Sequence, residues 1–298
     1  MIRIRNFFRH GNVGLLFVLP AFIYMMIFVG YPIVSNIVLS FQDVTAMNLV
    51  KGVRQFVGLK NYIEIFGDPV FRKSVVNTLV FTICCLVVQF IIGFALALFF
   101  NKKFSLAKPI RGISLIPWMI PVTITALIFK LLFATDIGVI NFFLKSLHLI
   151  PSNVEWLTTP HTAMFALIVA NVWIGIPFNM ILISTGLTTI PKELYESAAI
   201  DGANKVQTFF RITLPLLRTT IESVLILGFI YTFKVYDLVY VMTSGGPVNS
   251  THMLSTYSYK TSFELFKYSK GSAIANVLLA ILLVVGVFYL RVTNKEDE

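Results

Sequence analysis

Long uncharged apolar runs decide what this chain can be. The stretch "VVNTLVFTICCLVVQFIIGFALALFF" alone exceeds the ~18 residues that flag a bilayer-crossing helix, and comparable runs recur along the 298 residues. Inside lipid every backbone donor and acceptor needs an internal partner, so such runs fold as helices. Charged residues make up 13% of the chain, against roughly 25% in a soluble domain. The expected class is all-α, a polytopic membrane protein.

Run length places six spans at roughly 13–40, 75–100, 112–133, 162–187, 219–243 and 272–291. The start, "MIRIRNFFRHGNVGLLFVLP", has the basic flank of a signal peptide. Its apolar stretch outlasts the roughly 7–15 residues of a cleavable one, so it is taken as an uncleaved first span. Lysine and arginine concentrate in alternate segments: Arg3, Arg5 and Arg9; Lys102, Lys103, Lys108 and Arg111; Lys192, Lys205, Arg211 and Arg218; and the tail "RVTNKEDE". The intervening loops offset sparser cations with Asp43, Glu64, Asp68, Asp136, Glu155 and Glu264. By the positive-inside rule both termini are expected to be cytoplasmic. The division is a tail, 1–12, and a single transmembrane domain, 13–298, with a cytoplasmic loop at 188–218. Two outer segments, "FVGLKNYIEIFGDPVFRKS" and "TDIGVINFFLKSLHLI", are expected as short surface helices, the second with Ile140, Phe143, Leu144 and Leu147 on one face.

Several chemistries find no support. The net charge of +10 sits in short loops rather than on one soluble face, so nucleic acid is not an expected partner. Cys84 and Cys85 lie inside an apolar run and suit packing. His10, His148, His161 and His252 lack ligand spacing, so no metal site is expected. There is no G-x-x-x-x-G-K-[ST] phosphate loop and no H-E-x-x-H, G-x-S-x-G or C-x-x-C; "SGGP", Ser244 to Pro247, is a turn. No catalytic residue is assigned. Lys130 and Glu222 fall near span ends, where they can snorkel or pair. Lys234 and Asp237 fall three apart on one face of the fifth span, beside Tyr231 and Tyr236, and serve either a proton relay or the lining of a polar path.

The segment "TTIPKELYESAAIDGANKVQTFFRITLP" is too polar to cross a bilayer. Thr188 and Thr189 are candidate N-caps, Pro191 suits a first helical turn, and Glu193 and Glu196 suit a helix N-terminus. Asp201-Gly202 breaks the helix, with the aspartate capping a second one from about Ala203 to Ile212, before Pro215 punctuates the approach to span five. The small residues Ser197, Ala198, Ala199, Gly202 and Ala203 leave two roles open: a surface that admits another backbone, or a hairpin packed on its own chain.

Glu196, Ala198, Asp201, Gly202, Ala203, Phe209, Ile212, Leu214 and Pro215 stand as in the signature E-A-A-x-x-D-G-A-x(5)-F-x-x-I-x-L-P, with Ser197 replacing its first alanine. The chain thus resembles the permease subunits of bacterial binding-protein-dependent ABC importers. "LIPWMIPVTITALIFKLLF", "NVWIGIPFNMILISTGLTTIPKELYE" and "YDLVYVMTSGGPVNSTHMLSTYSYKTSF" are similar to the carbohydrate-uptake branch, the maltose- and glycerol-phosphate-type permeases.

The resemblance implies a type I ABC importer permease fold in a bacterial cytoplasmic membrane. It implies a coupling helix from about Pro191 to Ile200, with Glu193, Glu196, Ala198, Asp201, Gly202 and Ala203 meeting a separate ATPase. It further implies two ATPase subunits holding ATP and Mg, no cofactor in this chain, a second permease subunit in a heterodimer, an extracytoplasmic solute-binding protein, and a sugar or oligosaccharide cargo. Matching "NVWIGIPF" carries substrate contacts onto Asn171, Ile174, Gly175 and Phe178; anchoring on "TSGGP" carries others onto Tyr231, Thr232 and Val235. Phe178 and Tyr231 would stack on a sugar and Asn171 and Thr232 would bond its hydroxyls, unless the aromatics only pack helices. Val235 departs from a polar position of the maltose-type pattern. The competing expectation is a stand-alone ion-coupled transporter using Lys234 and Asp237.

Overall fold

The structure is a computed structural model that describes residues 13–52, 54–102 and 105–294. The tail bearing Arg3, Arg5, Arg9 and His10, together with Lys103 and residues 295–298, lies outside the described residues.

Among the described residues the first span is α1 (Phe17–Ser40). A two-stranded antiparallel ribbon follows, β1 (Gln42–Asp43) and β2 (Gln55–Phe56), with Gln42 opposite Phe56. Then come α2 (Lys60–Gly67) and α3 (Pro69–Phe100), α4 (Pro109–Met119) and α5 (Val122–Leu132), and α6 (Val139–Ser146) and α7 (Pro160–Thr189). Beyond these lie α8 (Lys192–Ile200), α9 (Lys205–Leu216) and α10 (Arg218–Phe233). The last helices are α11 (Asp237–Thr243), α12 (Leu254–Tyr259) and α13 (Tyr268–Asn294).

Four described helices are long and apolar enough to cross a membrane, and up to six spans result if each of two bent pairs counts as one. The expected third span is such a pair, α4 and α5, meeting at 92°. Pro121 is the N-cap of α5, and a proline there has no N–H to continue the preceding helix. The expected fifth span, 219–243, is not one helix either. Its α10 meets α9 at 66° just after Pro215 and ends at Phe233, with α11 beginning at Asp237. The second span starts earlier than expected, because the Asp68 side chain accepts a bond from the Val70 N–H at 2.8 Å and caps α3 ahead of Pro69.

Two compact units are distinguished. One comprises the chain up to Gly67 with Ser258–Val277, the other Asp68–Tyr257 with the chain from Leu278. In the first, Asn61 Nδ2 donates to the carbonyls of Ser40 and Gln42, each at 2.8 Å, tying α2 to the turn after α1. Asn36 donates to Asn276 Oδ1 at 2.6 Å, and Asn276 donates to the Tyr62 hydroxyl at 3.2 Å. Glu64 and Lys270 form an ion pair at 2.5 Å.

In the second unit the core is built on α3 and α7. Phe81, Cys85, Phe129, Leu167 and Ala170 form one buried cluster; Phe94, Ala97, Met180, Ile183 and Leu217 form another. The two helices approach closely because each offers a glycine. A Cβ on Gly93 would stand 2.5 Å from Asn179 Cβ, and one on Gly175 would stand 2.3 Å from Gln89 Cδ. Small residues at such crossings let backbones pack tightly in a membrane protein. Cys84 and Cys85 are free thiols, Cys85 buried in the core as expected of a packing residue.

Candidate functional site

On α7 the residues Asn171, Ile174, Gly175 and Phe178 follow i, i+3, i+4, i+7 spacing, which gathers them on one helical face. That face borders a cavity of about 430 Å³. The end of α10 supplies Tyr231 and Thr232 to the same cavity, and Val235 just beyond the helix completes the set expected from sequence. Gln89 of α3, Trp118 of α4 and Asn179 of α7 line it as well, outside the expected set. Nothing local marks them, since packing between distant spans delivers Gln89 and Trp118.

The wall contains a row of rings. Trp118 and Phe178 have centroids 6.2 Å apart, and Phe178 meets Tyr231 edge-to-face at 5.8 Å and 80°. The Lys234 ammonium lies 5.3 Å from the Tyr231 centroid, a cation–π distance. Tyr231 is 59% exposed. Gln89 is buried and donates to the Asn171 carbonyl at 2.9 Å, while Asn179 donates to the Gly175 carbonyl at 2.9 Å. These amides hold the backbone around Gly175 in place.

Lys234 and Asp237 do not share a face of a continuous span. The α10 helix stops at Phe233, Lys234 caps it, and the Val235 N–H turns back to the Thr232 carbonyl at 3.1 Å. The Val235 carbonyl accepts from the Ser255 hydroxyl instead of a helical N–H. Both charged side chains still reach the cavity.

A second feature is the polar loop. Thr188 and Thr189 are not N-caps; they end α7, and their hydroxyls donate back to the Thr185 and Gly186 carbonyls at 2.6 and 2.8 Å. Pro191 takes the N-cap position of α8 instead. At the other end the Gly202 N–H bonds the Ala199 carbonyl at 3.2 Å and the Ala203 N–H bonds the Ala198 carbonyl at 2.9 Å. This paired pattern is a Schellman motif, and it requires the left-handed φ of +77° that Gly202 adopts. The next helix is capped by Asn204 rather than Asp201. Asn204 and Gln207 exchange side-chain-to-backbone bonds, each at 2.9 Å, in a capping box.

The loop residues divide by direction. Glu193, Glu196, Asp201 and Gly202 are exposed, and Ala203 is half-buried. Ala198 is buried against its own chain, and the Tyr195 and Thr213 hydroxyls share a hydrogen bond at 3.1 Å. Phe209 likewise turns inward, meeting Phe94 edge-to-face at 5.7 Å. Ile200, 87% exposed, and Phe210 are exposed apolar residues of the same loop. Glu193 and Glu196 have no ion-pair partner among the described residues. One face of the loop thus packs on its own chain and the other is exposed.

Comparison with known proteins supplies a family. Residues 89–294 match the model described as "Binding-protein-dependent transport system inner membrane component". The sulfoquinovosyl glycerol transport system permease protein SmoG of Agrobacterium fabrum is 34% identical over 96% of this chain and 91% of its own length. The trehalose/maltose transport system permease protein MalF of Thermococcus litoralis is 34% identical over 96% of this chain and 95% of its own. A crystal structure of a bacterial ABC transporter involved in import of the acidic polysaccharide alginate contains a chain that superposes with a TM-score of 0.84. That chain is 23% identical, over 99% of this chain and 100% of its own length.

Proposed function

The chain belongs to the inner membrane components of binding-protein-dependent transport systems, and on that premise we propose that it forms half of the pathway of an ATP-driven sugar importer. It is a multi-pass permease subunit with the fold of ABC importer permeases. Its cargo is a sugar or oligosaccharide, as the names of its relatives suggest. The observation that carries this reading is the cavity. Residues far apart in sequence converge there on an exposed aromatic row flanked by amide and hydroxyl groups, the lining that a sugar's apolar face and hydroxyls require.

The remaining parts follow from the same reading. Two ATPase subunits bind ATP and Mg, and one of them docks on α8, whose exposed face offers Glu193, Glu196 and Ile200. The loop from Glu193 to Leu217 passes the closure of the ATPases to the spans, Tyr195 and Phe209 packing it against the core cluster of α3 and α7. A second permease subunit supplies the other half of the pathway, and an extracytoplasmic binding protein delivers the cargo. The single transmembrane domain, 13–298, sits in a bacterial cytoplasmic membrane with both termini inside. The stand-alone, ion-coupled reading of Lys234 and Asp237 is not supported: the relatives are permeases of multi-part systems, and the break after Phe233 removes the shared helical face that a relay would use.

Affinity purification from native membranes tests this. The tagged chain should bring down a second permease and an ATPase, and the reconstituted complex should take up sugar only with ATP and binding protein. Sugar uptake by the chain alone, driven by an ion gradient, would refute the assignment.

A further inference from the structure

Lys234 and Asp237 are charged groups that the proposed stacking and hydroxyl contacts leave unused. They are the charged residues of the cavity lining, one of each sign. Only Val235 and Tyr236 lie between them, yet neither charge has an ion-pair partner among the described residues. The fold holds them apart. Lys234 rests over the Tyr231 ring, and Asp237 belongs to the next helix, beside Tyr236, which stacks on Tyr240 at 5.3 Å. Both side chains are exposed on the cavity wall, and charged residues of a membrane protein that face an open cavity mark a pathway.

We infer that Lys234 and Asp237 are specificity-determining residues of this cavity and that its cargo is an uncharged, hydroxyl-rich sugar. The inference rests on the sugar reading above. An ammonium only donates hydrogen bonds and an ionised carboxylate only accepts them, whereas a hydroxyl does both. Neighbouring hydroxyls therefore satisfy the two side chains together, one accepting from Lys234 and one donating to Asp237. A uronate or sulfonate would satisfy Lys234 but bring a like charge beside Asp237, and an amino sugar would meet the reverse conflict. The lining, with its formal charges cancelled, selects against both. Selection of this kind works through the repulsive group as much as the attractive one.

The test uses the whole importer in liposomes, with maltotriose and raffinose as uncharged probes and trigalacturonate as the acidic one. The wild type should carry an uncharged probe and not the acid. Lys234→Gln and Asp237→Asn, both close in shape to the native side chains, should each raise the half-saturating concentration of that probe at least tenfold. Asp237→Asn, which leaves the cavity net positive, should also admit trigalacturonate at least tenfold better than the wild type, a gain that no folding defect imitates. Preference of the wild type for the acid, indifference of both variants, or losses without the gain would each overturn the inference and leave the sugar reading standing. ATP-driven uptake of a non-saccharide with no saccharide carried would overturn the sugar reading itself.

Discussion

Phe178, from the middle of one span, and Tyr231, from the last turn of another, meet edge-to-face with centroids 5.8 Å apart and planes at 80°. Their contact joins α7 to α10 at the wall of the cavity and sets the angle between two stacking surfaces. Phe178→Ala is expected to lower apparent sugar affinity about tenfold, in line with the loss of one aromatic contact of ~1.4 kcal/mol. Phe178→Tyr should retain it. Uptake titrations at matched expression check this; equal affinities across the three proteins would assign the pair to packing alone.

A Cβ added at Gly202 would meet nothing within 4 Å, so the requirement there is one of backbone conformation. A left-handed φ costs a non-glycine residue about 1–2 kcal/mol. Gly202→Val should loosen the Schellman turn and reduce recovery of the ATPase with the tagged permease several-fold, while Gly202→Asn, which tolerates this φ, should stay close to wild type. Quantitative pull-down separates the two.

Gly175 presents the opposite case, limited by space. A Cβ there would collide with the Gln89 amide at 2.3 Å and displace its bond to the Asn171 carbonyl. Overpacking of this type costs about 1–3 kcal/mol. Gly175→Ala should lower the melting temperature in detergent, and adding Gln89→Ala should restore part of it. No recovery in the double variant would place the strain elsewhere.

Glu64 and Lys270 should register acid. The lysine's hydrogen bond and charge hold the Glu64 carboxyl below the ordinary carboxylate range. A depressed acid stabilises the fold above its unfolded pKa, and that contribution disappears as pH falls through the lower folded value. With both side chains about one-third exposed, the pair is worth no more than about 1 kcal/mol after screening. The stability gap between wild type and Lys270→Met should be present at neutral pH and close in strong acid. A gap that widens on acidification would contradict the assignment.

The existence of the spans is legible because each apolar run outlasts any alternative use, and Asn171 to Phe178 can be grouped because helical spacing is local. The bends are harder to see. Pro121 and Pro215 carry the signal, but a proline inside a long run is also tolerated, as Pro177 is within α7. The end of α10 at Phe233 has no such mark, since it depends on Ser255 capturing the Val235 carbonyl from a distant segment. The capping box is present in the sequence as Asn204 and Gln207, three apart, but the more conspicuous Asp201-Gly202 pair beside it masks the signal.

Because α10 stops short, the residues from Lys234 to Tyr236 hang between two helices instead of belonging to either. Their side chains face the cavity, while the core is held by neighbours such as Phe233 and Leu238, both fully buried. The interruption thus separates what the protein must keep from what it is free to change. Substitutions at Lys234 and Val235 should therefore be tolerated more readily than at Phe233 or Leu238, while Tyr236, stacked on Tyr240, remains tied to the helix that follows.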